Sequence, residues 1–246
     1  MDAAQTIRGA VTRVAGLRTE AQANPSLRMA IAAIKSFQAR RFAGTYADLL
    51  ESSEYGRAAR FFLEDLYGDK DYSLRDAQFA RIAGGLQRVF PKQVVETAVA
   101  LANLHVLTEE LDRKMAEVWL SLAQDTSDPA RYAICWEEIG RKPDRDLQLK
   151  MVLKIGFDLE RLTKIPGLRL MLRMMRRPAK AAGIESLQEF LEAGFDIFGH
   201  MAGHDSGAKV FLATVQEREH LWIERLTNCE RSTLESELET CLANSR

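Results

Sequence analysis

The sequence has few cysteines, and those it has do not form a recognisable framework. Its three cysteines, Cys135, Cys229 and Cys241, are odd in number and include no C-x-x-C pair. A disulfide framework pairs an even number of cysteines, and a zinc knuckle contains a C-x-x-C pair. We therefore expect free thiols and neither a disulfide framework nor a zinc knuckle.

The chain also lacks a long apolar run and an excess of charge of either sign. Its longest stretch without Asp, Glu, Lys or Arg covers residues 97–108, whereas a membrane-spanning helix needs roughly 20 apolar residues. The 34 basic and 35 acidic side chains give a net charge of -1, which argues against a general polyanion-binding body and makes nucleic acid an unfavoured partner. Because Asp2, Arg8 and Arg13 interrupt any secretory signal, we expect a cytoplasmic protein without a transmembrane segment.

No alternation of Val, Ile and Thr is long enough to predict a strand, whereas apolar residues recur every three or four positions along the chain. This periodicity predicts an all-α fold, a multi-helix bundle of about nine to twelve helices. We expect one domain over residues 1–246, with candidate lobes at 1–125 and 129–246. The predicted helices are 3–22, 25–42, 46–67, 74–90, 91–106, 109–124, 129–139, 144–164, 167–177, 186–202, 206–228 and 232–243.

Residues typical of helix termini set these boundaries. Asn24, followed by Pro25, is predicted to cap a helix, and Asp128 with Pro129 repeats the signal. Capping boxes with Asp in place of Glu, and helix breaks at Gly or Pro, are predicted from the same kind of pattern. These further signals are Thr45-x-x-Asp48, Ser73-x-x-Asp76, Gly44 and Pro178.

The stretch RFFLEDLYGDKDYSLRDAQFAR, residues 60–81, predicts a tightly packed helical hairpin. Asp65 falls on the apolar side of the first helix, where a carboxylate needs a partner. Arg75 or Arg81 on the returning helix is the predicted partner. The pair is either a buried ion pair that stabilises the hairpin or the polar end of a pocket for an acyl or other apolar ligand.

The same stretch resembles the signature of the bacterial proteins called after their FFLEELY motif. Residues 61–67 read FFLEDLY, with Asp65 in place of Glu, which keeps the charge. Residues 172–219 resemble a second block shared by those proteins, and the likeness covers most of 45–225. The resemblance implies an all-helical, cytoplasmic bacterial protein, and it implies no activity, substrate or catalytic residue.

The histidines include one candidate metal or haem site. His200 and His204 form an H-x-x-x-H pair, and Asp196 lies one helical turn earlier, so three potential ligands fall on one face. Asp205 is a further candidate ligand. Glycine recurs every fourth residue from 199 to 207, which favours the alternative of surface histidines beside a glycine hinge and suits close packing within the chain or in a homodimer.

No catalytic motif is complete. Glu217-x-x-His220 is a lone E-x-x-H sequence, whereas a di-iron bundle needs two such pairs and two further carboxylates. His105 lies on an apolar face and is predicted to be a core histidine with a satisfied ring. Since G-x-S-x-G, Walker and Rossmann patterns are also missing, we predict no catalytic residues and no required cofactor.

The segment from 161 to 184 carries seven basic residues and no acid. Within it, basic side chains fall along one side of a helix and Leu168, Met171, Leu172 and Met175 along the other. Methionines suit an adaptable contact surface. The segment therefore predicts a basic amphipathic helix at 164–180, and the alternative is a core helix with a solvated basic face. The basic residues are Arg161, Lys164, Arg169, Arg173, Arg176, Arg177 and Lys180.

Together these patterns favour a non-catalytic binding protein that uses the basic amphipathic helix at 164–180. Its partner is predicted to be an acidic protein, an anionic ligand or the anionic surface of a membrane. Two alternatives stay open. One is a metal or haem protein that uses His200 and His204, and the other is a binding protein or enzyme for an acyl or other apolar ligand, with Asp65 and Arg75 at the polar end of the pocket.

Overall fold

The structure is a computed structural model that describes residues 2–66, 72–123, 125–202 and 207–245, with the backbone alone at 65, 66 and 202. Every regular element within these ranges is a helix, which confirms the predicted all-α fold. A π-helix, Phe62–Leu66, follows α4 directly. The α-helices are α1 (Ala3–Gln22), α2 (Pro25–Thr45), α3 (Ala47–Glu51), α4 (Gly56–Phe61), α5 (Ser73–Val89), α6 (Lys92–Ser121), α7 (Asp128–Ile139), α8 (Lys142–Thr163), α9 (Leu168–Met174), α10 (Arg176–Ala181), α11 (Glu185–Ala202), α12 (Gly207–Asn228) and α13 (Arg231–Ala243).

Several predicted boundaries are wrong. The single helix predicted at 46–67 is divided into α3, α4 and the π-helix, and the helices predicted at 91–106 and 109–124 form one continuous helix, α6. The helix predicted at 167–177 ends at Met174. Pro178 explains this last break, because a proline has no N–H for the carbonyl four residues earlier and its ring crowds that carbonyl.

The predicted helix caps are confirmed in part. Leu27 N donates to the side chain of Asn24 at 3.2 Å, as expected for an N-cap. Helix α7 is capped one residue earlier than predicted, because Ala130 N donates to Ser127 Oγ at 3.3 Å. The predicted capping boxes are wrong: α3 follows Tyr46 and α5 follows Tyr72, neither with a side-chain cap, while Thr45 is the last residue of α2.

The described chain forms two compact units, each assembled from three segments. The first consists of 1–15, 71–106 and 150–213, and the second of 16–70, 107–149 and 214–246. That these units belong to a single domain stays a prediction.

Each unit has its own apolar core. In the first unit one cluster forms around Ile7, Ala83 and Leu86, and another around Leu168, Leu172 and Phe195. In the second unit a larger cluster brings together α2, α6, α7, α12 and α13. Its fully buried members include Ile34, Phe37, Met115, Cys135 and Leu238.

Candidate functional sites

The predicted basic amphipathic helix consists of two short helices, α9 and α10, in the first unit. Its apolar side faces the core, since Leu168 and Leu172 are buried together with Phe195. Leu170 and Met174 point away from that core and are 62% and 68% exposed. The sequence predicted a single apolar side for this segment. The structure has, in addition, two large apolar side chains on the exposed surface of α9, Leu170 and Met174.

Most of the basic side chains on this segment are paired with acids. Arg176 Nε lies 2.8 Å from both carboxylate oxygens of Glu192 on α11, and hydrogen bonding from Arg176 holds the pKa of Glu192 below its usual range. Arg169 Nε donates to Asp196 Oδ1 at 2.9 Å. The remaining pairs are Lys164 with Glu160 at 2.9 Å, Lys180 with Glu185 at 3.8 Å, and Arg161 with Asp158.

Two arginines of this segment are not paired with acids of the described chain. Arg173 and Arg177 are exposed, and neither forms an ion pair with any residue that the structure describes. Within α9, Arg173 and Met174 lie three and four residues after Leu170, which places the three on one helical side, and Arg177 follows in α10, four residues after Arg173. We call Leu170, Arg173, Met174 and Arg177 the α9–α10 patch.

The predicted hairpin is only partly described. The side chain of Asp65 lies outside the described residues, so its predicted pairing with Arg75 or Arg81 stays a prediction. The guanidinium of Arg75 lies between two rings, 4.2 Å from the centroid of Tyr72 and 4.1 Å from that of Phe190. Arg81 Nη1 donates to the carbonyl of Ala182 at 2.9 Å.

The FFLEDL part of the motif has a feature that its sequence did not predict. Phe61 ends α4, and Phe62–Leu66 then form the π-helix, with both phenylalanine side chains buried. An inserted residue of this kind is uncommon in helices and often marks a functional position.

The histidine site stays untested. His200 is exposed on α11, whereas His204 and Asp205 lie outside the described residues. Asp196, the third predicted ligand, accepts a hydrogen bond from Arg169. Over the described part of the chain, no group of three or more His, Cys, Asp or Glu residues is arranged to hold a metal ion.

His105 is paired, as a core histidine should be. Its Nε2 lies 2.9 Å from Asp76 Oδ2, and both side chains are largely buried within the first unit. The Asp76 carboxylate that the sequence assigned to a capping box therefore contacts a ring on α6.

Sequence reasoning missed a buried polar network in the second unit. One end of it joins α2 to α12, where Arg41 donates to both carboxylate oxygens of Glu219 at 2.9 and 2.8 Å. Tyr46 OH donates to the same carboxylate at 3.0 Å. Burial opposes the charge of Arg41, but the attraction of Glu219 outweighs this and raises the pKa of Arg41 above its ordinary value.

The centre of the network is Asp112 on α6, which is only 2% exposed. Gln38 Nε2 donates to its Oδ1 at 3.0 Å. One turn away, Glu109 accepts from Lys35 Nζ at 2.7 Å and lies 3.5 Å from Arg18. Burial raises the pKa of Asp112, against the opposing effect of Lys35.

Arg145 on α8 lies on the other side of this centre and is only 6% exposed. Its Nη1 donates to Gln148 Oε1 at 3.1 Å, and its guanidinium lies 4.8 Å from the ring centroid of Trp136. Its Nη2 lies 2.9 Å from Met115 Sδ, a weak acceptor. Arg145 Nε has no hydrogen-bond acceptor among the described residues.

A signal for this network was present in the sequence. Lys35 and Gln38, Glu109 and Asp112, and Arg145 and Gln148 are three polar pairs at a spacing of three, each within an apolar helical pattern. Such spacing puts both members of a pair on one helical face. The sequence alone does not show which helical faces pack together, so it does not distinguish these pairs from separate surface residues.

The chain is similar over most of its length to one protein family. The family model described as a domain of unknown function (DUF8198) matches residues 17–233, and the chain belongs to this family. No curated protein and no solved structure matches it. The match agrees with the expectation that the chain belongs to a family without an assigned activity. The relation to the proteins with the FFLEELY motif stays a resemblance.

Proposed function

We propose that this protein is a non-catalytic binding protein, and that the α9–α10 patch docks on an anionic lipid surface. The observation that carries the proposal is the combination of two exposed apolar side chains, Leu170 and Met174, with the two arginines, Arg173 and Arg177, that form no ion pair with described residues. Apolar side chains enter the boundary between headgroups and acyl chains, while arginines contact the phosphates.

The construction of α9 supports this role. Leu168 and Leu172 anchor the helix in the core of the first unit. Leu170 and Met174 therefore project from a fixed backbone, and little conformational entropy is lost when they contact a partner. A protein partner would need a complementary surface of roughly 500 Å² or more on each side. A fluid bilayer adapts its own shape to a small convex patch, and we therefore favour lipid over an acidic protein.

Among the described residues no helix is both long and apolar enough to cross a membrane. Contact through the patch depends on charge and on two side chains, so it should be reversible and should weaken as salt screens the arginines.

The test is cosedimentation of the full chain with vesicles of phosphatidylcholine, with and without phosphatidylserine. We expect binding to the anionic vesicles alone. Because each basic residue at such a surface contributes about 1 kcal/mol, Arg173→Glu/Arg177→Glu should weaken binding by at least about 30-fold. Leu170→Ser/Met174→Ser should weaken it without changing the circular dichroism spectrum.

The matched control is Arg28→Glu/Arg57→Glu. Both residues are exposed arginines of the second unit, so the double variant has the same net charge as the patch variant and should bind as the parent does. Equal loss in both double variants would show that net charge, and not the patch, determines binding. Binding to soluble polyglutamate without binding to vesicles would replace the lipid by an acidic protein partner.

A further inference from the structure

The carboxylate of Glu192 is the centre of a cluster of hydrogen bonds beside the α9–α10 patch. Arg176 Nε lies 2.8 Å from each of its two oxygens, and Gln188 Nε2 donates to Oε1 at 2.8 Å. The same amide nitrogen donates to the carbonyl of Leu172 at 2.7 Å. Gln188 and Glu192 therefore connect α11 to both α9 and α10, the two helices that carry the patch.

The two partners of the Arg176–Glu192 ion pair differ in their freedom to move. The side chain of Glu192 is 14% exposed, whereas that of Arg176 is 61% exposed. Glu192 is also held by Gln188, which is buried, and α11 is anchored by Phe195 in the apolar core. An ion pair with one exposed partner is weak, because water and salt screen it. Arg176 can therefore leave the pair, while Glu192 stays in place.

Glu192 also acts on the patch itself. Hydrogen bonding from Arg176 is the main cause that lowers the pKa of Glu192, and the positive charge of Arg173 adds to it. This attraction is mutual, so Glu192 reduces the positive potential that an anionic partner meets at Arg173. Arg176 directly precedes Arg177, so the neutralised arginine lies between the two arginines of the patch along the chain.

Acids offset much of the positive charge on this side of the first unit. Helices α9, α10 and α11 carry five basic and four acidic side chains, and three of the acids are paired with these basic residues. Two arginines of α5 reach the same helices: Arg81 donates to the carbonyl of Ala182 at 2.9 Å, and Arg75 is stacked on Phe190. Even with these two counted, the acids offset more than half of the seven positive charges. The acids are Glu185, Glu189, Glu192 and Asp196.

We propose that Glu192 restrains the α9–α10 patch, so that only a densely anionic lipid surface recruits it. This inference rests on the docking function proposed above and assigns the regulation of that site to one carboxylate. A strongly negative surface competes with Glu192 for Arg176 and outweighs its effect on Arg173. A sparsely charged surface does neither. The restraint requires only that one exposed arginine side chain changes partner, and the helices keep their positions.

The test is cosedimentation of the full chain and of Glu192→Gln with phosphatidylcholine vesicles over a series of phosphatidylserine contents. Glutamine keeps the size of the side chain and an acceptor for Arg176 and Gln188, but it has no charge. We expect Glu192→Gln to bind about fivefold more tightly, the contribution of one basic residue at such a surface. Half-maximal binding should move to a lower phosphatidylserine content. Glu192→Gln/Arg176→Gln should return to the affinity of the parent, and a gain that persists in this double variant overturns the proposal.

The matched control is Glu137→Gln. Glu137 forms an exposed ion pair with Arg231 in the second unit, so this variant has the same net charge as Glu192→Gln and should bind as the parent does. An equal gain in both variants overturns the proposal. So does unchanged or weaker binding of Glu192→Gln with an unchanged circular dichroism spectrum, and in that case the docking function stands if Arg173→Glu/Arg177→Glu still weakens binding of the parent. If neither the parent nor Glu192→Gln binds, both proposals are wrong, whereas binding of Glu192→Gln alone supports the restraint.

Discussion

Arg41 and Glu219 are joined by two parallel hydrogen bonds, from Nη1 to Oε1 at 2.9 Å and from Nη2 to Oε2 at 2.8 Å, in the interior of the second unit. The pair connects α2 to α12 across 178 positions of sequence. Tyr46 adds a third hydrogen bond to the same carboxylate. Charges removed from water in this way stabilise a fold only while both partners are present.

We therefore expect Glu219→Gln to lower the free energy of unfolding by about 3 to 5 kcal/mol, because it leaves the buried guanidinium of Arg41 without a counter-charge. Urea denaturation followed by circular dichroism measures the change. The control is Glu137→Gln, which breaks an ion pair with Arg231 at the surface and should cost about 1 kcal/mol or less. The apolar double variant Arg41→Met/Glu219→Leu should be more stable than Glu219→Gln, and failure to recover any stability would show that the cost is not electrostatic.

A second prediction concerns Gly44, where the sequence predicted a break and the structure has the last turn of α2, which ends at Thr45. A Cβ atom at this position would lie 1.9 Å from the carbonyl oxygen of Cys241. Glycine is needed here because the backbones of α2 and α13 approach closely. Gly44→Ala should destabilise the protein by about 3 kcal/mol or more, since backbone must move to make room.

The control for Gly44 is Gly16→Ala. Gly16 is also inside a helix, and nothing lies within 4 Å of the position of its Cβ. Alanine there should raise the stability by roughly 0.5 to 1 kcal/mol through its higher helix propensity. Thermal unfolding of the two variants side by side tests both, and equal behaviour would contradict the close approach of α13.

These two sites show how far the sequence determines the fold. Local sequence patterns correctly predicted the all-α class and the cap at Asn24, because helical periodicity and caps depend on residues within a few positions of each other. The role of Thr45 and the close approach of α13 to Gly44 were missed because they depend on distant residues: Trp222 Nε1 donates to Thr45 Oγ1 at 2.9 Å. The same reason hid the network around Asp112, whose partners are separated by dozens of residues.

The exposed basic segment was predictable in part for a similar reason. Its charge pattern is local, and the sequence identified the basic stretch and the buried side formed by Leu168 and Leu172, but it predicted one helix at 164–180 where the structure has α9 and α10. Whether each arginine is paired depends on α11, which supplies Glu192 and Asp196. Only the structure therefore distinguishes Arg173 and Arg177 from the paired residues beside them.

The cysteines should differ sharply in reactivity. Cys229 is exposed, whereas Cys135 and Cys241 are buried, and burial raises the pKa of the Cys135 thiol to about 12. Because the thiolate is the reactive form, Ellman's reagent should titrate Cys229 rapidly in the folded protein and all three thiols in denaturant. Cys229→Ser should remove the fast phase. A second fast thiol in that variant would mean that the second unit opens readily around α7 or α13.

The pH dependence of the free energy of unfolding should show the contribution of the buried Asp112 carboxyl. Since burial raises the pKa of this carboxyl in the folded protein, the folded state binds the proton more tightly than the unfolded state does. The stability that this contributes is fully present below the ordinary aspartate pKa of about 4, and it is lost as the pH rises through the folded-state pKa. Asp112→Asn keeps the acceptor for Gln38 and stays neutral throughout.

The variant and the parent should therefore have similar stability near pH 4, and the variant should become the more stable as the pH increases. The difference between them grows by at most about 1.4 kcal/mol per pH unit, because one proton is involved. Urea denaturation at a series of pH values gives this difference directly and cancels the other titrating groups. If the parent instead gains on the variant with rising pH, then Lys35 and Arg145 together outweigh burial, and Asp112 is an ionised partner of Arg145.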